Sequence, residues 1–227
     1  MMTVTLFSIG LTVGAYALSR VLARRFPSPL TTPVFFSTTV IILALVTSGV
    51  QLAEYEPAKR IMVSLLGPAT VGLAVPLYKN RLTLLRHTAP AVLGLAVGSL
   101  ATLGAAVLLA TAFGLPDIIR ASMSVKSVTA PIAIELAPIV HGSPALTAAF
   151  VIATGMIGAM LGPWLMTRTG IHDPLSRGLA LGTISHGQGT AQAVAEGELQ
   201  GAAAGIAMGL AAVFTSFVAP FLAPFLG

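Results

Sequence analysis

The sequence predicts an all-α fold: a polytopic transmembrane helix bundle of about eight spans, two or three of them broken helices or re-entrant segments. Three observations predict it. Only 8% of the 227 residues are charged and 56% are hydrophobic, against about 25% charged in soluble domains, and mean hydropathy is +0.93. Apolar runs long enough to cross a hydrocarbon core, about 20 residues each, recur along the chain. Two polar, glycine-rich stretches interrupt them, residues 124–135 (SVKSVTAPIAIE) and 182–198 (GTISHGQGTAQAVAEGE). Irregular backbone at membrane depth is tolerated only inside protein or beside a water-filled cavity. The two stretches are therefore expected to line one polar site, and the whole chain, 1–227, to form one membrane domain.

The spans follow in order. Residues 3–20 are apolar, with no basic residue before them and Arg20, Arg24 and Arg25 after them. A secretory leader has the reverse order, so a retained first span is expected. Spans at 31–52 and 61–78 come next, the latter interrupted at Gly67-Pro68 and again at Pro76. Residues 88–113, 144–167 and 200–226 are long and uncharged. Residues 116–138 and 174–196 are polar and broken, and a re-entrant form for either would change the parity of the chain. Basic residues gather after span one and after span three (Lys79, Arg81, Arg86), which puts those loops on the cytoplasmic side.

An internal echo runs through the chain. Pro57, Pro116 and Pro174 each open a segment with a basic residue shortly after (Arg60, Arg120, Arg177). Each segment then reaches a small or polar break, the first at Gly67-Pro68-Ala69-Thr70. Repeats whose matching helices break near the midplane point to a transporter's binding site. Glycines at helical spacing let backbones approach closely. Gly94 and Gly98, Gly158 and Gly162, and Gly201, Gly205 and Gly209 are expected to pack helices together, within one chain or in a homo-oligomer.

The candidate site draws on both interruptions. A charge at the centre of a spanning helix costs about 2.5–3.5 kcal/mol on insertion scales, so Lys126 and Glu135 call for a site or a buried partner. Pro131 between them is expected to break the helix and free carbonyls upstream. A half-helix N-terminus favours an anion, and Lys126, Ser127 and Thr129 beside it suit a small carboxylate, with Thr70 at the equivalent break. Ser185, His186, Gly187, Gln188, Gly189, Thr190 and Gln192 form the partner patch. There the glycines allow close approach, while hydroxyl and amide groups can replace a substrate's hydration. His186 could accept a coupled proton. Asp117 with Arg120 and Asp173 with Arg177 stand at the mouths of the two segments, as helix-start pairs or as an attraction for anions.

The same residues exclude other classes. Without cysteine there is no disulfide, thiolate metal site or thiol chemistry. The histidines lack metal-ligand spacing and no hydrolase or phosphate-loop motif occurs, so no catalytic residue, metal or cofactor is expected. No basic cluster interleaves with aromatics, which removes nucleic acid as a partner.

With these motifs in view the chain resembles the LrgB/CidB family. The resemblance rests on SVTAPIAIE (127–135), HGSPALTAAFVIATGMIGAMLGP (141–163) and GIHDPLSRGLALGTISHGQGTAQA (170–193). It extends to GELQGAAAGIAMGL (197–210) and LLGPATVGLAVPLYKN (65–80), and so covers nearly the whole chain. Gly187 and Gln188 stand where family members often carry a bulkier or different pair. The resemblance implies a bacterial inner-membrane protein of one of two kinds. One is a carrier of small monocarboxylates, as in a plastid relative that moves glycolate and glycerate and in bacterial systems linked to pyruvate. The other is a holin-like or antiholin-like modulator of murein hydrolase export and lysis, acting with a small LrgA/CidA-type membrane partner.

Overall fold

The computed structural model describes residues 2–72 and 74–225, and all its regular elements there are helical. It divides into two compact units, Met1–Val75 and Pro76–Gly227. The first holds α1 (Met2–Arg25), a 3-10 turn (Pro29–Thr31), α2 (Pro33–Thr47), α3 (Leu52–Ser64) and α4 (Leu66–Gly72). Helix α1 packs against α2 and α3, with Ser8 and Ser19 fully buried along it. The Ser19 hydroxyl donates back to the Tyr16 carbonyl at 2.6 Å, the usual way a helix satisfies a hydroxyl away from water.

The expected span at 61–78 is interrupted at Leu65, between α3 and α4, and α5 (Ala74–Lys79) follows residue 73, which lies outside the described residues. Helix α3 begins nine residues earlier than expected because Glu54 caps it, accepting from the Gln51 N–H at 2.9 Å. Glu56 then pairs with Lys59 and Arg60 one turn on. These charges, read as a loop, are one face of a helix, and Pro57 lies inside it rather than opening it. The break falls at Leu65 rather than at Gly67-Pro68, which sit in the first turn of α4, where proline's missing N–H costs nothing. Thr70 lies on α4, but its side chain is outside the described residues.

The second unit continues through α6 (Arg81–Arg86), α7 (Thr88–Ala112), α8 (Asp117–Ser124), α9 (Ala130–Ile139), α10 (Pro144–Arg168), α11 (Pro174–Glu196) and α12 (Glu198–Leu222). Helices α7, α10 and α12 have 25 residues each, about 37 Å of helix, enough to cross a bilayer. With the first helix they are the four segments among the described residues that are long and apolar enough to do so. The predicted multi-pass helical bundle is therefore what forms, but α8, α9 and α11 are not among its spans.

Helix α11 folds back on itself. Arg177 and Glu196 lie 19 residues apart yet meet at 2.8 Å, where a straight helix would hold them about 28 Å apart. The reversal is at His186, whose backbone is non-helical (φ 41°, ψ −127°). The two arms, each about 16 Å long, leave and return to the same end of the bundle. Residues equidistant from His186 accordingly meet the same part of α12: Gly182 and Thr190 both touch Ala204. The reversal needs Gly189, because a Cβ there would run into the Leu181 carbonyl oxygen and Ser185.

Helices α8 and α9 make a second re-entrant segment at the opposite end. The chain leaves the start of α10 at Ser122, whose hydroxyl accepts from the Ser143 N–H at 2.8 Å and whose carbonyl accepts from Thr147 at 3.3 Å. It runs non-helically over residues 125–129 and returns along α9 to Gly142, which packs directly on Ser122. Helix α10 then leads to the end from which the α11 hairpin enters, and α12 leads back, its Ala219 packing with Ala121 and Leu136. Each re-entrant segment is thus followed by a 25-residue helix, and the two segments enter from opposite ends of this unit.

Candidate functional site

The tips of the two re-entrant segments converge on α10. The His186 Nε2–H donates to the Val151 carbonyl oxygen at 3.1 Å, which fixes the ring's tautomer and aim. The Val151 side chain packs with Val125 and Val128 of the other tip in a fully buried cluster. The Lys126 ammonium donates to Ser127 Oγ at 3.4 Å, and no carboxylate among the described residues pairs with it. One half-buried cation therefore stands beside the meeting point of two polar tips.

Helix α10 is carved to receive the α11 hairpin. A Cβ on Gly155 would lie 2.6 Å from Gln188 Oε1 and 2.7 Å from His186 Cε1, one on Gly158 would collide with Ser185 Oγ, and one on Gly162 would press Leu181. Gly158, Gly162 and Gly201 thus stand at close helix contacts as the spacing suggested, Gly201 against Val194. Gly98 has ordinary contact with Thr183 at 3.6 Å, whereas among the described residues nothing lies within 4 Å of a Cβ added at Gly94, Gly205 or Gly209. Sequence reasoning missed Gly155, Gly178 and Gly182. The last two, at i and i+4, sit against the carbonyl oxygens of Gln200 and Ala204, a spacing that was legible.

The polar patch divides into groups spent on the fold and groups left over. Ser185 is sealed against Gly158, and the Thr190 hydroxyl donates to the His186 carbonyl at 2.8 Å. Ser185 is thus buried at a helix contact, and the Thr190 donor is spent within the hairpin. Gln188 and Gln192, one helical turn apart on the returning arm, each keep a side-chain oxygen enclosed and without a partner. A buried acceptor left unmade costs about 1–3 kcal/mol. Gly187 is exposed, facing Met208.

On the other tip Lys126, Ser127 and Thr129 lie together in the non-helical stretch, half-buried. Thr129 is the N-cap of α9, but its side chain makes no capping bond. Pro131 occupies the first turn of α9 and so starts that helix instead of breaking one. Glu135 is exposed on α9, away from the tip.

Of the mouth pairs, one forms as expected and one does not. Arg120 and Asp117 pair at 2.8 Å within α8. Arg177 pairs with Glu196, not with Asp173. Its five N–H groups reach both Glu196 oxygens, Thr167 Oγ1 and the carbonyls of Ile171 and Pro163, closing the hairpin's open end. Asp173 instead caps α11, accepting from the Ser176 hydroxyl and N–H, both at 2.7 Å. Those bonds hold its carboxyl below the ordinary value of 3.8.

Comparison with known proteins places the chain. The LrgB-like family matches residues 12–225. The chain belongs to the LrgB-like family. A Bacillus subtilis protein, YxaC, described as uncharacterized, is 37% identical over 191 residues, covering 84% of this chain and 83% of that one. YwbG of the same organism, also described as uncharacterized, is 33% identical over 85% of each chain. The holin-like protein CidB of Staphylococcus aureus is 30% identical over 83% of this chain and 82% of its own. No solved structure matches. This LrgB-like chain is thus a multi-pass membrane protein.

Proposed function

We propose that this LrgB-like protein is a secondary carrier of small monocarboxylates of the glycolate, glycerate or pyruvate kind in the bacterial inner membrane, and not an enzyme. The observation that carries the reading is the convergence on Val151 of two polar tips entering from opposite ends of the bundle. Opposed re-entrant segments on inverted repeats are a known way to reach one midplane site from either side in turn. Lys126, with Ser127 and Thr129, supplies the single positive charge for a carboxylate. The Gln188 and Gln192 Oε1 atoms, which lack a donor, accept from a substrate hydroxyl, and the amide NH2 groups donate to an oxo group. Lys79 pairs with Glu198, so the basic cytoplasmic loop and the α11 hairpin share one side.

Uptake of labelled glycolate, glycerate and pyruvate into proteoliposomes tests this. Saturable uptake that falls at least tenfold in Lys126→Ala is expected; its absence, or uptake unchanged in that variant, contradicts the carrier. The holin-like name of the CidB relative favours a second reading, control of envelope lysis through an LrgA/CidA-type partner. That role predicts survival of function in Lys126→Ala and loss on substituting the open glycines Gly205 and Gly209.

A further inference from the structure

Between α9 and α12 lies a partly open cavity of about 420 Å³ bordered by Thr129, Ile132, Met208, Gly209, Ala212, Val213 and Ser216, of which Val213 is 69% exposed. None of its walls on α12 was singled out as a ligand contact by the sequence. Thr129 and Ser216 are its hydroxyls, the remainder is apolar, and no carboxylate borders it. Thr129 follows Lys126 by three residues on the same tip. The chemistry is that of a small anion with a short apolar body: charge toward Lys126 and Thr129, carbon against Ile132 and Ala212.

Met208 is the wall of this cavity that also touches the α11 hairpin. Its sulfur lies 3.8 Å from Thr190 Oγ1 on the α11 hairpin, and 4.0 Å from where a Cβ on Gly187 would stand. One α12 side chain therefore touches the α11 hairpin and borders the cavity reached from the α8–α9 tip. A thioether with three rotatable bonds fills such a gap adaptably, and its length determines how much of the cavity remains.

We propose that this cavity seats the substrate and that Met208 sets the chain length it accepts. The proposal rests on the carrier reading and adds to it the residue that selects among monocarboxylates. Truncation at Met208 joins the cavity to the space beside Gly187, and an aromatic ring there shortens it.

The test is uptake of linear monocarboxylates of two to five carbons by wild type, Met208→Ala and Met208→Phe in proteoliposomes. Met208→Ala is expected to move the preferred length up by at least one carbon, with about tenfold or more gained by the longest acid relative to the shortest. Met208→Phe is expected to retain only the shortest. An unchanged length profile in both overturns the role of Met208 while leaving the carrier standing; no uptake of any acid by wild type overturns both. A readout independent of transport uses the absence of native cysteine. In Ser216→Cys, glycolate is expected to slow maleimide labelling severalfold. Labelling at an unaltered rate overturns the cavity as the seat, whether or not the Met208 variants fold.

Discussion

The His186 ring donates to the carbonyl of Val151 at 3.1 Å, while the Val151 side chain packs on Val125 and Val128. A single residue of α10 thus takes a hydrogen bond from one re-entrant tip and an apolar contact from the other. Movement of either tip must disturb Val151, which gives the two tips a physical means of sensing each other.

The backbone of His186 gives the first prediction. A non-glycine residue at φ 41° is strained by about 1–2 kcal/mol, and here the ring's hydrogen bond and burial offset it. His186→Ala keeps the strain and loses the bond, whereas His186→Gly loses both. The glycine variant should therefore unfold in detergent at higher temperature than the alanine variant, by about 1 kcal/mol. Alanine equal to or above glycine would contradict the reversal at this residue.

The Arg177–Glu196 pair gives the second. Both side chains are nearly enclosed, 11% and 15% exposed, and removing one partner of such a pair costs about 3–5 kcal/mol. Arg177→Ala and Glu196→Ala should each open the hairpin, measured as a loss of thermal stability with increased protease cleavage near residue 186. Arg177→Lys should rescue little, because an ammonium cannot serve five directions at once. Full rescue would show that charge alone matters.

Small residues provide a paired test. Gly158→Ala drives a methyl into Ser185, while Gly205→Ala meets open space. Overpacking costs about 1–3 kcal/mol, so the first variant should be less stable by that amount and the second close to wild type. Destabilisation by Gly205→Ala instead would point to a second chain seated on that face.

Asp173 gives a pH dependence. Its bonds to the Ser176 hydroxyl and N–H depress the carboxyl below 3.8, so its contribution to stability is fully present above that value. It is lost as pH falls through the depressed one. Asp173→Asn should narrow the stability difference from wild type between pH 4 and pH 2.5. A difference that grows on acidification contradicts the cap.

Composition made the membrane class and the two interruptions legible, since histidine, lysine and amide side chains are costly against lipid. It did not reveal the reversal at His186. A broken span and a hairpin share the same glycines and polar groups, and what separates them is the contact of Arg177 with Glu196, nineteen residues on. Local spacing paired Arg177 with Asp173 because i,i+4 neighbours are the only partners a sequence displays. Helix α3 was missed because its charges looked like a loop when counted and like a helix face only once capped by Glu54. Ser185 and Thr190 carried the right chemistry for a ligand, but Ser185 is buried against α10 and the Thr190 hydroxyl bonds within the hairpin.

The two opposed re-entrant segments are tested most directly by side-specific labelling of single cysteines in membrane vesicles of known orientation. His172→Cys and Glu198→Cys, which flank the α11 hairpin, should react with an impermeant maleimide from one side. Phe113→Cys and His141→Cys, which flank the α8–α9 segment, should react from the other. Labelling of His172→Cys and Glu198→Cys from opposite sides would mean that α11 crosses the membrane, and the convergence at Val151 would fail with it.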